Sequence, residues 1–300
     1  GMLDAWGDHP AVRETLAEAS EALGEDVAKL IHEGPKEALA LTTNTQPVML
    51  VSAIAAWRAW LAEGGAKPSV VAGHSLGEYS ALVASGVLSL AQAAPLVRFR
   101  AQAMQQAVPV GAGAMAAILG MDAAKVIAGC AEAQATFGAG SAEVVEAVNF
   151  NDPVQTVIAG SKAAVEKACE VLKANGAKRA LPLPVSAPFH SSLMRPAADA
   201  LRAKLADEAF AAPQIPVVNN IDVAVESDAQ RIKDALVRQA AGPVRWVETV
   251  QALQARGVAA VIECGPGKVL AGMAKRIAPE LVSGAIFDPA SLAEVKQQLT

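Results

Sequence analysis

The stretch Val70-Val71-Ala72-Gly73-His74-Ser75-Leu76-Gly77-Glu78-Tyr79-Ser80-Ala81-Leu82-Val83-Ala84-Ser85-Gly86 reads as a strand, a sharp turn and a helix. A short valine-containing run follows Pro68, Gly73 to Gly77 fits the pattern G-x-S-x-G, and good helix formers continue from Glu78 to the stop at Gly86. The two glycines are expected to permit close approach of strand and helix, which pushes the Ser75 hydroxyl clear of the sheet. Ser75 is therefore a candidate nucleophile. The Leu76 N–H, at a helix N-terminus, is a candidate donor to a developing oxyanion. The alternative is an ordinary glycine-rich turn between strand and helix, against which the flanking elements weigh.

Working outward, 300 residues could hold two domains of ~150 residues each or one large α/β domain. Hydrophobic residues make up 53% and aromatics 4%, so the core is expected to be Ala, Val, Leu and Ile with closely packed helices. The net charge of -5, from 25 basic and 30 acidic residues with no long basic run, argues against nucleic acid as a partner. Cys130, Cys169 and Cys264 are too widely spaced for a disulfide framework or a zinc site and suit a reducing compartment. The longest apolar run, Pro47 to Trp57, falls short of the ~20 residues that span a bilayer, and no cleavable signal segment precedes it. The expectation is a cytoplasmic protein with neither nucleic acid nor membrane as a partner.

Before the nucleophile strand, Pro10 to Leu23 and Glu25 to His32 read as helices, and a long helix starts at Thr45-Gln46-Pro47 with the proline at an early position. After Gly86, Ser89 can cap a helix to about Gln106, which Pro95 either kinks or opens. On that helix Leu96, Val97, Arg100, Ala103, Met104 and Ala107 share one side, so Arg100 sits inside the apolar stripe. A buried guanidinium calls for an anion nearby; pairing with a structural carboxylate, or snorkelling outward, are the other readings.

Between Gly111 and Pro184 the order is strand (Ala114 to Leu119), helix (Ala123 to Ala135), strands (Val144 to Phe150, Val154 to Ala159), helix (Ala163 to Ala174) and strand (Arg179 to Val185). This βαββαβ order is the ferredoxin-like signature. The remainder continues as strand Ile215 to Asn219, helices Ala229 to Gln239 and Val247 to Ala255, strand Ala259 to Glu263, and a helix after Gly265-Pro266-Gly267-Lys268. That last tetrapeptide lacks the spacing of a phosphate loop and reads as a tight turn. The fold class expected is α/β: a large α/β-hydrolase-like domain (1–110 and 186–300) with an inserted small ferredoxin-like α+β domain (111–185).

A serine nucleophile needs a base. His9 lies beside Pro10 near the start of the chain, His32 in a polar segment, and His74 in the turn itself, where adjacent side chains point apart. His190, in the loop Ser186-Ala187-Pro188-Phe189-His190-Ser191-Ser192 beyond a strand end, remains as base, with helix capping as its other reading. No Asp or Glu stands in an obvious strand-end setting to orient its ring.

Gly73-His74-Ser75-Leu76-Gly77-Glu78-Tyr79-Ser80-Ala81-Leu82, taken with Arg100, His190 and Gly265-Pro266-Gly267-Lys268-Val269-Leu270, resembles the acyltransferase family of fatty acid and polyketide synthesis. The resemblance covers nearly the whole chain, including Val148-Asn149-Phe150-Asn151-Asp152-Pro153, Val217-Val218-Asn219-Asn220 and Pro243-Val244-Arg245-Trp246. It implies a dyad of Ser75 and His190, with the backbone carbonyl of Gln239 in place of an acid. Arg100 matches the family's arginine that pairs with the free carboxylate of a malonyl group, and Leu76 and Phe189 match the malonyl-selecting members. The implied reaction moves malonyl from malonyl-CoA to the phosphopantetheine thiol of acyl carrier protein through a malonyl-serine, by a ping-pong scheme. It needs no metal or cofactor, and the chain is expected to be a monomer. Asn151, Lys178 and Arg179 are further candidates for contact with coenzyme A or the carrier protein.

One departure concerns the start, where the family has a strand and a turn whose glutamine supplies a second oxyanion donor. Gly1 ahead of Met2 looks like a tag remnant, and the expectation is a short chain with impaired activity. The alternatives are a discrete polyketide-synthase acyltransferase, a serine hydrolase or thioesterase, and a non-catalytic module that binds carrier protein. A hydrolase would complete its triad with an acid, and a binding module would have no use for Ser75, His190 and Arg100 together.

Overall fold

Four α-helices come before the nucleophile strand in the computed structural model, which describes residues 1–185 and 187–300. Ser186, the expected first residue of the second large-domain stretch, lies outside the described residues. Helix α1 (Pro10–Leu23) carries Pro10 in its first turn, where a missing N–H has no intrahelical partner to lose. It is followed by α2 (Val27–Glu33), α3 (Lys36–Ala40) and α4 (Thr42–Ala62). Because α4 starts at Thr42, Pro47 lies inside it rather than in its first turn as expected. Its ring removes the hydrogen bond to the Thr43 carbonyl. Burial of Leu50, Val51, Ile54, Ala55 and Ala59 against α1 and the later α6 (Leu90–Gln106) outweighs that loss.

Strand β1 (Val71–Ala72) leads through the Ser75 turn into α5 (Gly77–Ala84). Helix α6 opens on the expected cap: Ser89 accepts from the Gln92 N–H at 3.1 Å while the Gln92 side chain accepts from the Ser89 N–H at 3.0 Å. Pro95 sits in its second turn without ending it.

The next elements are β2 (Gly113–Leu119), α7 (Ala123–Ala135), β3 (Val145–Asp152), β4 (Gln155–Ser161), α8 (Lys162–Ala174) and β5 (Arg179–Pro182). Their strands form one antiparallel sheet in the order β3-β4-β2-β5. Strand alternation sends Ala116, Ile118, Ile158 and Ala180 into a core with α7 and α8, and Met115, Ala117, Val157 and Ala159 to the opposite face. That second face meets Phe189, in the loop that carries His190.

The chain then runs through α9 (Arg195–Ala206), β6 (Val217–Val218), α10 (Ala229–Ala240), α11 (Trp246–Ala255), β7 (Ala260–Cys264), α12 (Val269–Ile277), β8 (Val282–Ile286) and α13 (Pro289–Gln298). Strand β1 pairs in parallel with β6, and β7 with β8. Sequence patterning did not reveal β8, whose five residues include Ser283 and Gly284; parallel pairing with β7 is what holds them extended. The two parts of the chain are tied through backbone. The Phe150 N–H donates to the Val244 carbonyl at 3.0 Å, and the Val244 N–H to the Val148 carbonyl at 2.8 Å.

The two glycines of the turn differ in what the fold asks of them. A Cβ on Gly73 would lie 1.9 Å from the Gly77 carbonyl oxygen, so strand and helix touch there and only glycine fits. A Cβ on Gly77 would meet nothing within 4 Å, which corrects the expectation that both glycines serve the close approach. Gly73→Ala is therefore expected to cost about 3 kcal/mol of stability by overpacking. Gly77→Ala should stay within about 0.5 kcal/mol of the parent. Urea unfolding of the three proteins, followed by circular dichroism, checks the difference.

Candidate active site

Ser75 occupies a left-handed backbone conformation, φ 53°, that a side chain ordinarily avoids. Two anchors hold it there: the Ser75 N–H donates to Asn220 Oδ1 at 2.8 Å, and the Ser75 carbonyl accepts from Gln239 Nε2 at 2.9 Å. The turn aims Oγ at His190, whose Nε2 lies 2.7 Å away. His190 is itself at φ 67° and is 3% exposed. Its loop is fixed by Pro188, which abuts Gly113 at the start of β2, and by the Ser192 N–H, which donates to Glu146 of β3 at 3.0 Å.

The other ring nitrogen, Nδ1, is 2.8 Å from the backbone carbonyl of Gln239. A carbonyl only accepts, so Nδ1 carries the hydrogen and Nε2 presents its lone pair to the Ser75 hydroxyl. Gln239 lies in the last turn of α10, where carbonyls lack intrahelical partners and the helix dipole is negative. A helix end thus does the work that an Asp would do in a triad. Burial, reinforced by the Arg100 charge, holds the His190 pKa down at about 3, so the ring is a neutral base across the physiological range.

Arg100 projects from the buried side of α6 with 2% exposure. Its Nη1 donates to Gln46 Oε1 at 2.6 Å, and its Nη2 to Gln239 Oε1 at 2.9 Å and to Ser75 Oγ at 3.1 Å. The guanidinium also stands 5.4 Å from the Tyr79 ring centre. Among the described residues no carboxylate forms an ion pair with it, so the structural-carboxylate and snorkelling readings do not hold. The serine oxygen thus sits between a cationic donor and a neutral base, an arrangement that favours loss of its proton. Beside it, the Leu76 N–H precedes α5 and donates to no backbone acceptor among the described residues.

A nucleophile, a base and a buried cation meeting at one oxygen are the furniture of acyl transfer, and the acyl transferase domain profile matches residues 3–282. The chain belongs to the acyl transferase family. This acyl transferase is 50% identical over 299 residues to the malonyl CoA-acyl carrier protein transacylase of Salmonella typhimurium, covering 99% of the chain and 95% of that relative. Among solved structures, an acyl-carrier-protein S-malonyltransferase from Burkholderia pseudomallei is 66% identical with a TM-score of 0.96, covering 99% of this chain and 95% of that one. A malonyl-transacylase solved in complex with a type II polyketide acyl-carrier protein is 49% identical with a TM-score of 0.92, covering 96% and 92%. The acyl transferase shares their mixed α/β fold.

Of the residues singled out in the sequence, the acyl transferase brings Ser75, Leu76, Arg100, His190 and Gln239 into one centre. Asn151, buried at the end of β3, is placed against His74 at 2.7 Å rather than against Ser75 or His190. Phe189 packs half-buried on the face of the small sheet opposite α7 and α8. Lys178 and Arg179 are exposed at the start of β5. Sequence reading missed Gln46, Glu78, Asn220 and the Gln239 side chain, all buried and all in the hydrogen-bond network. Glu78 carried a usable signal: an acidic residue in the first turn of a helix otherwise apolar nearly all round. No group of three His, Cys, Asp or Glu among the described residues could hold a metal ion, and no described helix is long and apolar enough to cross a membrane. Nitrogen-15 NMR of labelled histidine should show His190 as the neutral Nδ1–H tautomer, with ring shifts unchanged from about pH 8 to about pH 5; a titration near the ordinary histidine value of about 6.5 would contradict the assignment.

Proposed function

We propose that this chain transfers malonyl from malonyl-CoA to the phosphopantetheine thiol of acyl carrier protein through a malonyl ester on Ser75, supplying fatty acid synthesis. The observation that carries the reading is Arg100: a buried guanidinium without a carboxylate partner, 3.1 Å from the nucleophilic oxygen. A malonyl thioester bound at Ser75 presents a free carboxylate to that fork, which suits two parallel charge-assisted hydrogen bonds.

His190 Nε2 takes the Ser75 proton as Oγ attacks the thioester carbonyl, and the Leu76 N–H stabilises the tetrahedral oxyanion. The intermediate collapses to malonyl-serine and expels the coenzyme A thiolate, to which the imidazolium returns its proton. The carrier-protein thiol then gives up its proton to His190 and attacks the ester, and the imidazolium returns that proton to Ser75 Oγ as it leaves. Arg100 holds the malonyl carboxylate through both halves. Phe189 narrows the space beside the acyl group against branched substrates, and Asn151, Lys178 and Arg179 serve as contacts for coenzyme A or the acidic carrier protein. The enzyme works without a cofactor, as a cytoplasmic monomer, with neither nucleic acid nor membrane as partner.

The architecture we infer is a large α/β-hydrolase-like domain (1–110 and 186–300) with an inserted ferredoxin-like α+β domain (111–185). Its support is the strand order β3-β4-β2-β5 with α7 and α8 on one face, and the separate cores of the two parts.

Intact mass after mixing with malonyl-CoA is expected to show one malonyl group on the parent and none on Ser75→Ala. His190→Ala should slow acylation by about 10²–10⁴-fold. Arg100→Ala should lower the rate with malonyl-CoA by about 10²-fold or more, and that with acetyl-CoA by far less, the difference reflecting loss of a buried charge pair. Equal losses with both donors would refute the role of Arg100.

A further inference from the structure

Glu78 is a buried acid beside the dyad that the transfer reaction leaves without a task. It is 2% exposed on α5, and its Oε2 accepts from Gln239 Nε2 at 2.6 Å. Its Oε1 accepts from the Asn220 N–H at a long 3.3 Å. The orientation of the Gln239 amide is fixed chemically: Arg100 has only donors, so Gln239 Oε1 must face Arg100 and Nε2 must face Glu78. The result is a relay in which the Arg100 cation and the Glu78 carboxylate are bound to opposite ends of one amide. Opposite charges in such a chain polarise the group between them and stabilise each other without touching.

The geometry points to Glu78 as the counter-charge of the empty site, one that takes up a proton when the malonyl carboxylate pairs with Arg100. This rests on the function proposed above. With the carboxylate of the ligand and that of Glu78 both ionised, a buried centre with one cation would carry an excess negative charge, which is costly in low dielectric. A proton from solvent onto a Glu78 carboxylate oxygen restores neutrality. When the malonyl group departs on the carrier protein, the proton returns to solvent and Glu78 again balances Arg100.

The surroundings set the sign. Burial raises the Glu78 pKa to about 7, against the hydrogen bonds from Gln239 and the Asn220 N–H and, after them, the Arg100 charge on α6, all of which lower it. Asp222, in the loop after β6, raises it weakly and is itself clasped by Arg238 of α10 at 2.7 Å from both guanidinium nitrogens. Tyr79 on the same helix stays protonated because burial raises its pKa, and burial keeps His74 and His190 neutral. Arg100 is thus the one charge in direct control, and an anion that occupies it lifts the Glu78 pKa further. Above about pH 7 the empty site holds ionised Glu78, so malonyl binding brings a proton with it and weakens as pH rises.

The test uses Ser75→Ala, which binds without turnover, titrated with malonyl-CoA and with acetyl-CoA from about pH 7.5 to about pH 9.5. Affinity for malonyl-CoA relative to acetyl-CoA is expected to fall by up to about tenfold per pH unit. Adding Glu78→Gln should remove that slope, so that at the top of the range the double variant binds malonyl-CoA several-fold more tightly than Ser75→Ala. A residue with a merely structural role would weaken binding at every pH. Calorimetry of Ser75→Ala in two buffers of different ionisation enthalpy should give close to one proton taken up with malonyl-CoA and none with acetyl-CoA, a readout that stands even where Glu78→Gln does not fold. No proton uptake, or a slope unchanged by Glu78→Gln, overturns the assignment. Failure of the transfer reading has a separate signature: malonyl-CoA binding that is unaffected by adding Arg100→Ala at any pH.

Discussion

The reaction centre depends on the hydrogen bonds of one residue, Gln239, at the C-terminal end of α10. Its backbone carbonyl orients His190, its side-chain oxygen receives Arg100, and its side-chain nitrogen holds both the Ser75 carbonyl and Glu78. Nucleophile, base, cation and buried acid thus share a single point of attachment. A change that shifts α10 along its axis would move all of them together, which is why the helix is packed so fully along Ile232, Leu236 and Ala240. Removing the glutamine side chain would leave buried donors and acceptors unmatched on three sides, a greater loss than any one of its bonds.

Two backbone positions store strain for the same purpose. Ser75 and His190 both adopt positive φ, and the two side chains meet at 2.7 Å. Such conformations cost about 1–3 kcal/mol each and persist only where the surroundings enforce them. For Ser75 the enforcement comes from Asn220, Gln239 and the Gly73 contact; for His190 it comes from Pro188 against β2 and Ser192 on Glu146. The small sheet therefore holds the His190 loop in place, and its face of Met115, Ala117 and Val157 supplies an apolar wall beside Phe189. An apolar wall strengthens the electrostatics next to it, since water is kept from the charges.

The electrostatic design places at the serine a cation with no carboxylate in direct contact. Arg100 is buried among amides, a hydroxyl and a ring rather than beside a carboxylate. Burial without direct pairing is unfavourable for the folded chain, and the same feature makes the centre receptive to an anionic acyl group. Glu78, one amide away, moderates the cost without occupying the fork that a ligand carboxylate would use.

Much of this was legible in the order of residues. G-x-S-x-G between a strand and a helix located Ser75 and Leu76, helical periodicity located Arg100 in an apolar stripe, and elimination located His190, because each rests on local spacing. The strand and helix order of 113–182 was legible for the same reason, whereas Pro47 inside α4 and the strand β8 were not, since packing and parallel pairing decided them. Periodicity also could not say what Arg100 would face or whether a carboxylate waited there. The Gln239 carbonyl came only through family resemblance, and its physical basis, a helix-end carbonyl with a lone pair free for a second donor, exists only once α10 is placed against the His190 loop. Gln46 and Asn220 lie at distant points of the chain with nothing local to mark them as partners, and Glu78, though three residues from Ser75, owes its contacts with Gln239 and Asn220 to the tertiary fold. The sequence by itself determined that Ser75, Leu76 and Arg100 stand on a turn, a helix start and a helix face suited to such chemistry, because turns, caps and helical faces are short-range properties. Only the tertiary structure decided how those residues are charged and aimed, because burial and long-range hydrogen bonds arise when α4, α5, α6 and α10 close around Ser75.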